Sequence, residues 1–134
     1  MGDQAGPKIL IIDRETAQAE ALRRELTHAG FQAIVAFDAA SGLKVAALEK
    51  PDAVIMDLTL PKQTGIDALK RLVASGALDG RPVLVLSNLN QEEDIREARE
   101  IGAAGYLIKS DTKITDIPRL VADLLRPKKA QAKL

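Results

Sequence analysis

Polar side chains that could together carry out chemistry follow four short apolar runs of the sequence. Asp13 comes directly after ILII, Asp57 after AVIM, Ser87 after VLVL and Lys109 after YLI. Two neighbouring carboxylates repel each other, and a cation between them relieves that repulsion. A divalent metal ion, an ammonium group and a hydroxyl can also hold the negative charge of a transferring phosphoryl group. These residue types therefore predict a phosphoryl site with a divalent metal.

Asp57 is the candidate nucleophile of such a site. It precedes the stretch LTLPKQTG, residues 58–65, which is a loop long enough to expose it. Asp13 would help to hold Mg²⁺, which prefers oxygen ligands and keeps several waters. The backbone carbonyl of Thr59 completes the predicted metal ligands with the two carboxylates. Any one of these residues could instead cap a helix or shape a turn, so the prediction depends on their convergence.

Convergence requires the four apolar runs to be neighbouring strands. The sequence has five strand-length runs: residues 8–12, 33–37, 53–56, 83–86 and 106–108. Apolar residues with helical spacing lie between them: Ala19, Leu22, Leu26 and Ala29; Ile66, Leu69, Leu72 and Val73; and Ile95, Ala98 and Ile101. Alternating strands and helices predict a three-layer α/β sandwich with a doubly wound, five-stranded parallel sheet. Ligands of such sheets bind beyond the carboxyl ends of the strands.

Residues that commonly begin or end helices agree with this pattern. Gly30 and Gly102 follow two of the periodic segments, where a left-handed residue often ends a helix. Thr115 is predicted to cap the last helix, with Pro118 in its first turn. The only histidine, His28, is interpreted as a helix-end residue rather than a ligand.

Composition limits the classes of function. The 134 residues suit one domain, and 46% hydrophobic content supplies one substantial core. Nineteen basic residues balance nineteen acidic ones, which gives no reason to expect binding to nucleic acid or to an anionic membrane. Cysteine is absent, which excludes disulfides and thiolate sites. No stretch is predicted to be a signal peptide or a membrane span, so we expect a cytoplasmic protein.

The motifs resemble those of the receiver domain of bacterial two-component response regulators. The matching pieces are KILIID, PDAVIMDLTLPKQTGIDALKRL, PVLVLSN and GAAGYLIK, and the likeness extends from Lys8 to about Leu125. The resemblance implies a flavodoxin-like fold with strand order 2-1-3-4-5. The domain organisation expected is a flexible start (1–7), a receiver domain (8–126) and a disordered basic tail (127–134).

The resemblance also implies a role for each site residue and a set of partners. Asp57 would accept a phosphoryl group from a histidine kinase or phosphotransfer protein, and Lys109 and Ser87 would contact that group. Ser87 and Tyr106 would then move and remodel a face built from the fourth helix, the fifth strand and the fifth helix. That face would bind a downstream protein, and a homodimer on activation is possible. Tyr106 could also be an ordinary half-buried strand aromatic.

Two positions depart from the family pattern. The second of two adjacent acids, usually a direct metal ligand, is replaced by Arg14, which predicts weakened Mg²⁺ binding. Glu15 is a candidate substitute for that ligand, although it lies one residue further along the turn, and Arg14 is expected to point to solvent or to pair with Asp57. In many members of the family a Lys-Pro pair, often with a cis bond, follows the fifth strand, and here Ser110 replaces that proline. Because a non-proline cis bond costs roughly 2.5–4 kcal/mol, a trans bond is expected there.

Two other functions share features with the phosphoacceptor. IMDLT superficially resembles the nucleophile strand of haloacid dehalogenase-type phosphatases, but those enzymes need a second Asp where this chain has Thr59. We therefore expect that the chain is not an enzyme. The second is a pseudo-receiver, a docking module that works without phosphorylation because Arg14 impairs the metal site, and this alternative stays open.

Overall fold

The computed structural model describes residues 6–60 and 65–126. The strands are β1 (Lys8–Ile12), β2 (Gln32–Ala36), β3 (Ala53–Met56), β4 (Val83–Ser87) and β5 (Gly105–Ile108). The helices are α1 (Thr16–His28), α2 (Ala39–Glu49), α3 (Gly65–Ala74), α4 (Glu92–Ile101) and α5 (Ile117–Leu125). Two 3₁₀ turns, Lys109–Asp111 and Ile114–Asp116, connect β5 to α5.

The strands form one parallel sheet in the order β2-β1-β3-β4-β5. Apolar residues alternate between its two faces, as Ile9 and Ile11 of β1 pack with α1 and α5, whereas Leu10 and Ile12 pack with α2, α3 and α4. Helices thus cover both faces, and the predicted three-layer sandwich is confirmed. Strand β1 lies between β2 and β3, so the chain passes from β1 to one side of the sheet and later returns to the other. The point where the strand order reverses is therefore at the carboxyl end of β1.

The predicted elements differ from the observed ones by a residue at some strand ends. β1 and β3 have the predicted bounds, whereas the others begin or end one residue away. Among the helix residues, Ala29 and Val73 are exposed rather than buried, because they lie at the ends of α1 and α3. Gly30 and Gly102 have φ of 98° and 136°, as helix-ending residues should.

The predicted cap of α5 was wrong. Asp116, not Thr115, occupies the N-cap position, because a 3₁₀ turn precedes the helix, and its side chain makes no capping hydrogen bond. Pro118 does lie in the first turn, as predicted. His28 is the last residue of α1 and is exposed, in agreement with its interpretation as a helix-end residue.

Gly65 closes the loop that follows β3. Its N–H donates to the carbonyl of Leu58 at 2.8 Å. A Cβ at this position would lie 2.0 Å from the Leu58 backbone, so only glycine permits this approach. The contact fixes both ends of the segment that begins directly after Asp57.

Parts of the predicted domain organisation lie outside the described residues. The predicted flexible start falls largely on residues 1–5, the predicted basic tail is 127–134, and residues 61–64 of the loop predicted after Asp57 also lie outside the described part. The domain bounds therefore stay predictions. Across 6–60 and 65–126, no helix has the length and apolar character needed to span a membrane.

Candidate functional site

Four polar residues converge at the carboxyl edge of the sheet. The N–H of Asp13 donates to the Ala36 carbonyl at 3.0 Å, and the N–H of Asp57 donates to the Ile12 carbonyl at 2.9 Å. The parallel ladders thus extend one residue past β1 and β3 and fix both acids at the edge. Asp13 is 5% exposed, Asp57 2% and Ser87 0%, so three polar groups are buried together there.

Lys109 lies at the centre of this cluster. Its Nζ is 2.9 Å from Asp13 Oδ2, 2.8 Å from Asp57 Oδ2 and 2.6 Å from Glu15 Oε1. The Lys109 side chain is only 6% exposed. A buried ammonium is stable when hydrogen-bonded anions surround it, and here it neutralises part of the charge of three carboxylates. The predicted grouping of the two acids with a lysine is thus seen in the geometry.

Glu15, the candidate substitute for the acid that Arg14 replaces, lies in the cluster. Its backbone N–H donates to Asp13 Oδ1 at 2.9 Å, and this local turn directs the chain so that the Glu15 carboxylate reaches Lys109. Oxygen atoms of Asp13, Glu15 and Asp57 all lie within 4.8 Å of one another. Arg14 is exposed, and the ion pair described for Asp57 is with Lys109.

Thr59 orients the Asp57 carboxylate. Its backbone N–H and its hydroxyl both donate to Asp57 Oδ1, each at 2.9 Å. The other oxygen, Oδ2, accepts from Lys109. Each oxygen of Asp57 is therefore held by a different partner, which restricts rotation of the carboxylate.

The same contacts set the ionisation of the cluster. Burial would raise the pKa of Asp57, but hydrogen bonds from Lys109 and Thr59, with the nearby Ser87 hydroxyl, outweigh it and lower that pKa. Burial dominates at Asp13, whose pKa is raised despite its contact with Lys109. Burial would lower the pKa of Lys109, but its hydrogen bonds to Asp57, Glu15 and Asp13 raise it well above the ordinary range. Asp57 is therefore ionised at neutral pH, facing an ammonium that stays protonated.

We expect the two buried acids to titrate on opposite sides of the ordinary aspartate pKa of 3.8. Carboxyl carbon shifts followed by NMR in metal-free buffer should place the midpoint of Asp57 below that value and that of Asp13 above it. Lys109→Ala should raise the Asp57 midpoint, because its strongest donor is lost. Equal midpoints for the two acids would contradict this assignment of charge.

Tyr106 is linked to the site through the loop after β4. Its hydroxyl donates to the Leu89 carbonyl at 2.6 Å, while the Leu89 N–H donates to Ser87 Oγ at 3.2 Å. Tyr106 is half-buried and packs against the core on the α4 side of the sheet. Burial raises its pKa, as do the charges of Asp94 and Asp57. The phenol is therefore neutral and connected to Ser87 by two hydrogen bonds.

A contact that the sequence analysis missed joins Asn88 to Ser110. The Ser110 N–H donates to Asn88 Oδ1 at 3.0 Å. The described residues contain no cis peptide, so the expected trans bond at Lys109-Ser110 is confirmed. The signal for this contact was present, since proline has no N–H and its replacement by serine supplies a donor.

Asp38 is the acid that follows β2. Its carboxylate accepts from the N–H of Ser41 at 2.8 Å and so caps α2. This strand-end acid thus has the structural role that any one of them could have had.

Relatives in sequence point to one family. A family model described as the response regulator receiver domain matches residues 9–121. The transcriptional regulatory protein KdpE of Mycobacterium tuberculosis is 41% identical over 104 residues, which cover 75% of this chain and 43% of the relative. The alkaline phosphatase synthesis transcriptional regulatory protein PhoP of Bacillus subtilis is 35% identical over 102 residues, covering 76% and 42%. The chain thus spans about half the length of the curated relatives it matches.

Solved structures give the same fold. A CheY-like response regulator receiver domain protein from Methanospirillum hungatei superposes with a TM-score of 0.84 at 22% identity, covering 96% of this chain and 98% of that one. The receiver domain of the Francisella response regulator 1452 gives 0.81 at 28% identity, covering 90% and 97%.

The fold and the acidic edge define a flavodoxin-like α/β protein with its polar site at the ends of parallel strands. The chain belongs to the family of response regulator receiver domains. Receiver domains generally bind Mg²⁺ at an acidic cluster, and they interact with histidine kinases and downstream effectors.

Proposed function

We propose that this chain is the phosphoacceptor of a two-component phosphorelay and that Asp57 receives the phosphoryl group. The donor is a histidine kinase or a phosphotransfer protein. The observation that supports this most is the state of Asp57: a buried, ionised carboxylate held by Thr59 on one oxygen and by Lys109 on the other. A carboxylate fixed in this way is a preoriented nucleophile.

The transfer makes one bond and breaks one bond. An Asp57 oxygen attacks phosphorus, and the bond from phosphorus to the phosphohistidine nitrogen of the donor breaks, with the electron pair leaving on that nitrogen. Lys109 Nζ and the Ser87 hydroxyl contact the equatorial oxygens of the transferring group, where negative charge is spread. Lys109 already lies 2.8 Å from Asp57, so it needs little movement to follow the charge.

The acidic cluster suits Mg²⁺. Its donors are all carboxylate oxygens, within 4.8 Å of one another, which are the hard ligands that this ion prefers. We assign Asp13 and Asp57 as ligands, with Glu15 in the place of the acid that Arg14 replaces and the backbone carbonyl of Thr59 as a further ligand. When bound, the ion neutralises negative charge on the phosphoryl oxygens. The ammonium of Lys109 provides part of this neutralisation from the protein itself.

The partner face follows from the contacts of Tyr106. Phosphorylation would draw the Ser87 hydroxyl toward the new phosphoryl oxygens, and the Ser87–Leu89–Tyr106 hydrogen bonds would pass that movement to β5. The face of α4, β5 and α5 is then the surface that a downstream protein reads, and on which a homodimer could form. The chain acts as a switch in this proposal and is not an enzyme with a substrate of its own.

Mass spectrometry tests the acceptor directly. The protein treated with acetyl phosphate and Mg²⁺ should gain one phosphoryl group, and Asp57→Asn should abolish the gain because an amide is not a nucleophile at neutral pH. Asp111→Asn, which changes an exposed acid, is the matched control and should keep it. A full mass gain in Asp57→Asn would remove Asp57 from this role.

Arg14 keeps a pseudo-receiver as the second candidate. An exposed guanidinium beside the acidic cluster repels a dication, so the metal site could be too weak for phosphorylation. In that case no mass gain would occur with or without Mg²⁺. Asp57→Asn and the parent would then bind the downstream protein with equal affinity.

A further inference from the structure

We propose that Asn88 is a positioning residue for phosphoryl transfer. Its side-chain oxygen holds the N–H of Ser110 and so links the loop that contains Ser87 to the turn that contains Lys109. The inference deepens the proposed function and rests on it, since it concerns how the two phosphoryl-contacting residues keep their relative place.

The link lies where the backbone ladder stops. The last paired residues of β4 and β5 are Ser87 and Ile108. Beyond them the two chains separate, one into the loop before α4 and the other into the 3₁₀ turn Lys109–Asp111. The Asn88–Ser110 hydrogen bond therefore replaces the next rung of the ladder, with a side chain in the place of a backbone carbonyl.

Both ends of the link belong to residues adjacent to functional groups. Asn88 lies between Ser87 and Leu89. The Leu89 N–H donates to Ser87 Oγ, and the Leu89 carbonyl accepts from the Tyr106 hydroxyl. Ser110 directly follows Lys109. Displacement of the Asn88 loop would thus shift the Ser87 hydroxyl, the Leu89 carbonyl and the separation of Ser87 from Lys109 together.

The donor exists because residue 110 is not proline. A proline there would have no N–H, and Asn88 Oδ1 would lose this partner. The serine hydroxyl is not the donor in this hydrogen bond. Ser110→Ala should therefore keep the link and Ser110→Pro should remove it, which separates the backbone role from that of the side chain.

The test compares Asn88→Ala with Asn90→Ala, a change to another exposed asparagine of the same loop. Asn88→Ala should speed amide hydrogen exchange at Ser110 and slow phosphorylation by acetyl phosphate about fivefold, as loss of one hydrogen bond predicts. The fall should be in the maximal rate constant of phosphorylation rather than in the acetyl phosphate concentration that gives half of that rate, because positioning rather than donor binding is impaired. Asn90→Ala and Ser110→Ala should match the parent.

Tyrosine fluorescence supplies a readout that does not depend on phosphorylation. Tyr106 is the only tyrosine and the chain has no tryptophan, so emission reports this residue alone. Asn88→Ala should change the emission of the unphosphorylated protein, because the Leu89 carbonyl that accepts from Tyr106 becomes mobile. Ser110→Pro should give the same change, and the double variant should be no slower in phosphorylation than the slower single variant.

The outcomes separate this proposal from the proposed function. Unchanged Ser110 exchange in Asn88→Ala, or faster exchange with parental emission and phosphorylation, would overturn the positioning role. If no variant or parent is phosphorylated, the phosphoacceptor proposal fails, and with it the effect on transfer, whereas exchange and emission still decide whether the link orders the loop. If Asn88→Ala does not fold, Ser110→Pro tests the link from the donor side.

Discussion

Lys109→Ala is expected to lower the free energy of unfolding by about 3 kcal/mol at pH 7 without Mg²⁺, because it removes the cation from a buried group of carboxylates. In the parent, one ammonium contacts Asp13, Glu15 and Asp57 within 3 Å. Without it, Asp13 and Asp57 face each other at 5% and 2% exposure with no compensating charge. The variant should remain folded, since Lys109 contributes no side chain to either apolar core cluster.

The pH dependence of this loss identifies its cause. The pKa of Asp57 is lowered on folding, so its contribution is present above the ordinary value of 3.8 and is lost as pH falls through the lower folded value. The pKa of Lys109 is raised, so its contribution is present below 10.5 and is lost only as pH rises through a still higher value. The pKa of Asp13 is raised on folding, so this acid lowers the stability as the pH rises from 3.8 through its folded pKa. The free energy of unfolding should therefore be larger for the parent than for Lys109→Ala across the neutral range. The difference between the two should shrink below about pH 4.

Urea unfolding of the two proteins between pH 3 and pH 9 measures the effect. Lys113→Ala removes an exposed lysine of the same segment and is the matched control, expected to lie within about 0.5 kcal/mol of the parent. Saturating Mg²⁺ should restore much of the lost stability, because a dication replaces the missing charge and binds only the folded protein. A loss of equal size at pH 3 and pH 7 would show that Lys109 acts through packing rather than through charge.

The layers, strand order and edge of the sheet agree with what the sequence predicted, for a physical reason. Runs such as AVIM are apolar at every position, as a strand covered on both faces must be. Their short length and the helical segments between them favour buried strands over buried helices. The resemblance then supplied the strand order. The convergence of Asp13, Asp57, Ser87 and Lys109 follows from parallel strands ending at one edge.

The features that sequence did not predict depend on local geometry. Glu15 enters the acidic cluster because the Asp13 side chain accepts its N–H and turns the chain, which no spacing rule specifies. The Asn88–Ser110 hydrogen bond joins loops 22 residues apart, so it depends on the pairing of β4 with β5. Thr115 failed as a cap because the chain inserts a 3₁₀ turn before α5, and helix ends vary by a residue or two under such local competition.

Because Glu15 lies in the cluster, the Mg²⁺ affinity of the site depends on two neighbouring residues with opposite effects, Arg14 and Glu15. Arg14 adds a like charge near the dication, on the order of several kcal/mol at a few ångströms and an effective dielectric near 20. Its side chain is exposed and can rotate into water, which reduces that repulsion. Glu15, half-exposed at 51%, can leave Lys109 and contribute a carboxylate oxygen in the place of the missing acid.

Arg14→Asp should therefore tighten Mg²⁺ binding at least about tenfold, which corresponds to roughly 1.4 kcal/mol. The gain combines a removed cation with an added carboxylate, and Arg14→Ala, which removes only the cation, should give a smaller part of it. Glu15→Gln should weaken binding by about tenfold if Glu15 is a ligand. Glu97→Gln, with the same change in net charge at an exposed site of α4, is the control and should leave affinity unchanged.

Titration calorimetry of Mg²⁺ into these four variants and the parent decides between the two residues. Loss of affinity in Glu15→Gln together with a gain in Arg14→Asp places both residues at the metal site, with opposite signs. Equal affinity in the parent and Arg14→Asp, with a loss in Glu15→Gln, would mean that Glu15 already completes the site and that the charge of Arg14 is fully screened by water. Equal affinity in all five proteins would contradict the assignment of Glu15 as a ligand and leave Asp13 and Asp57 as the only side chains that hold the ion. In that case the carboxylate drawn to Lys109 would serve the lysine alone, as one of the three acceptors that keep its ammonium charged beside Asp57.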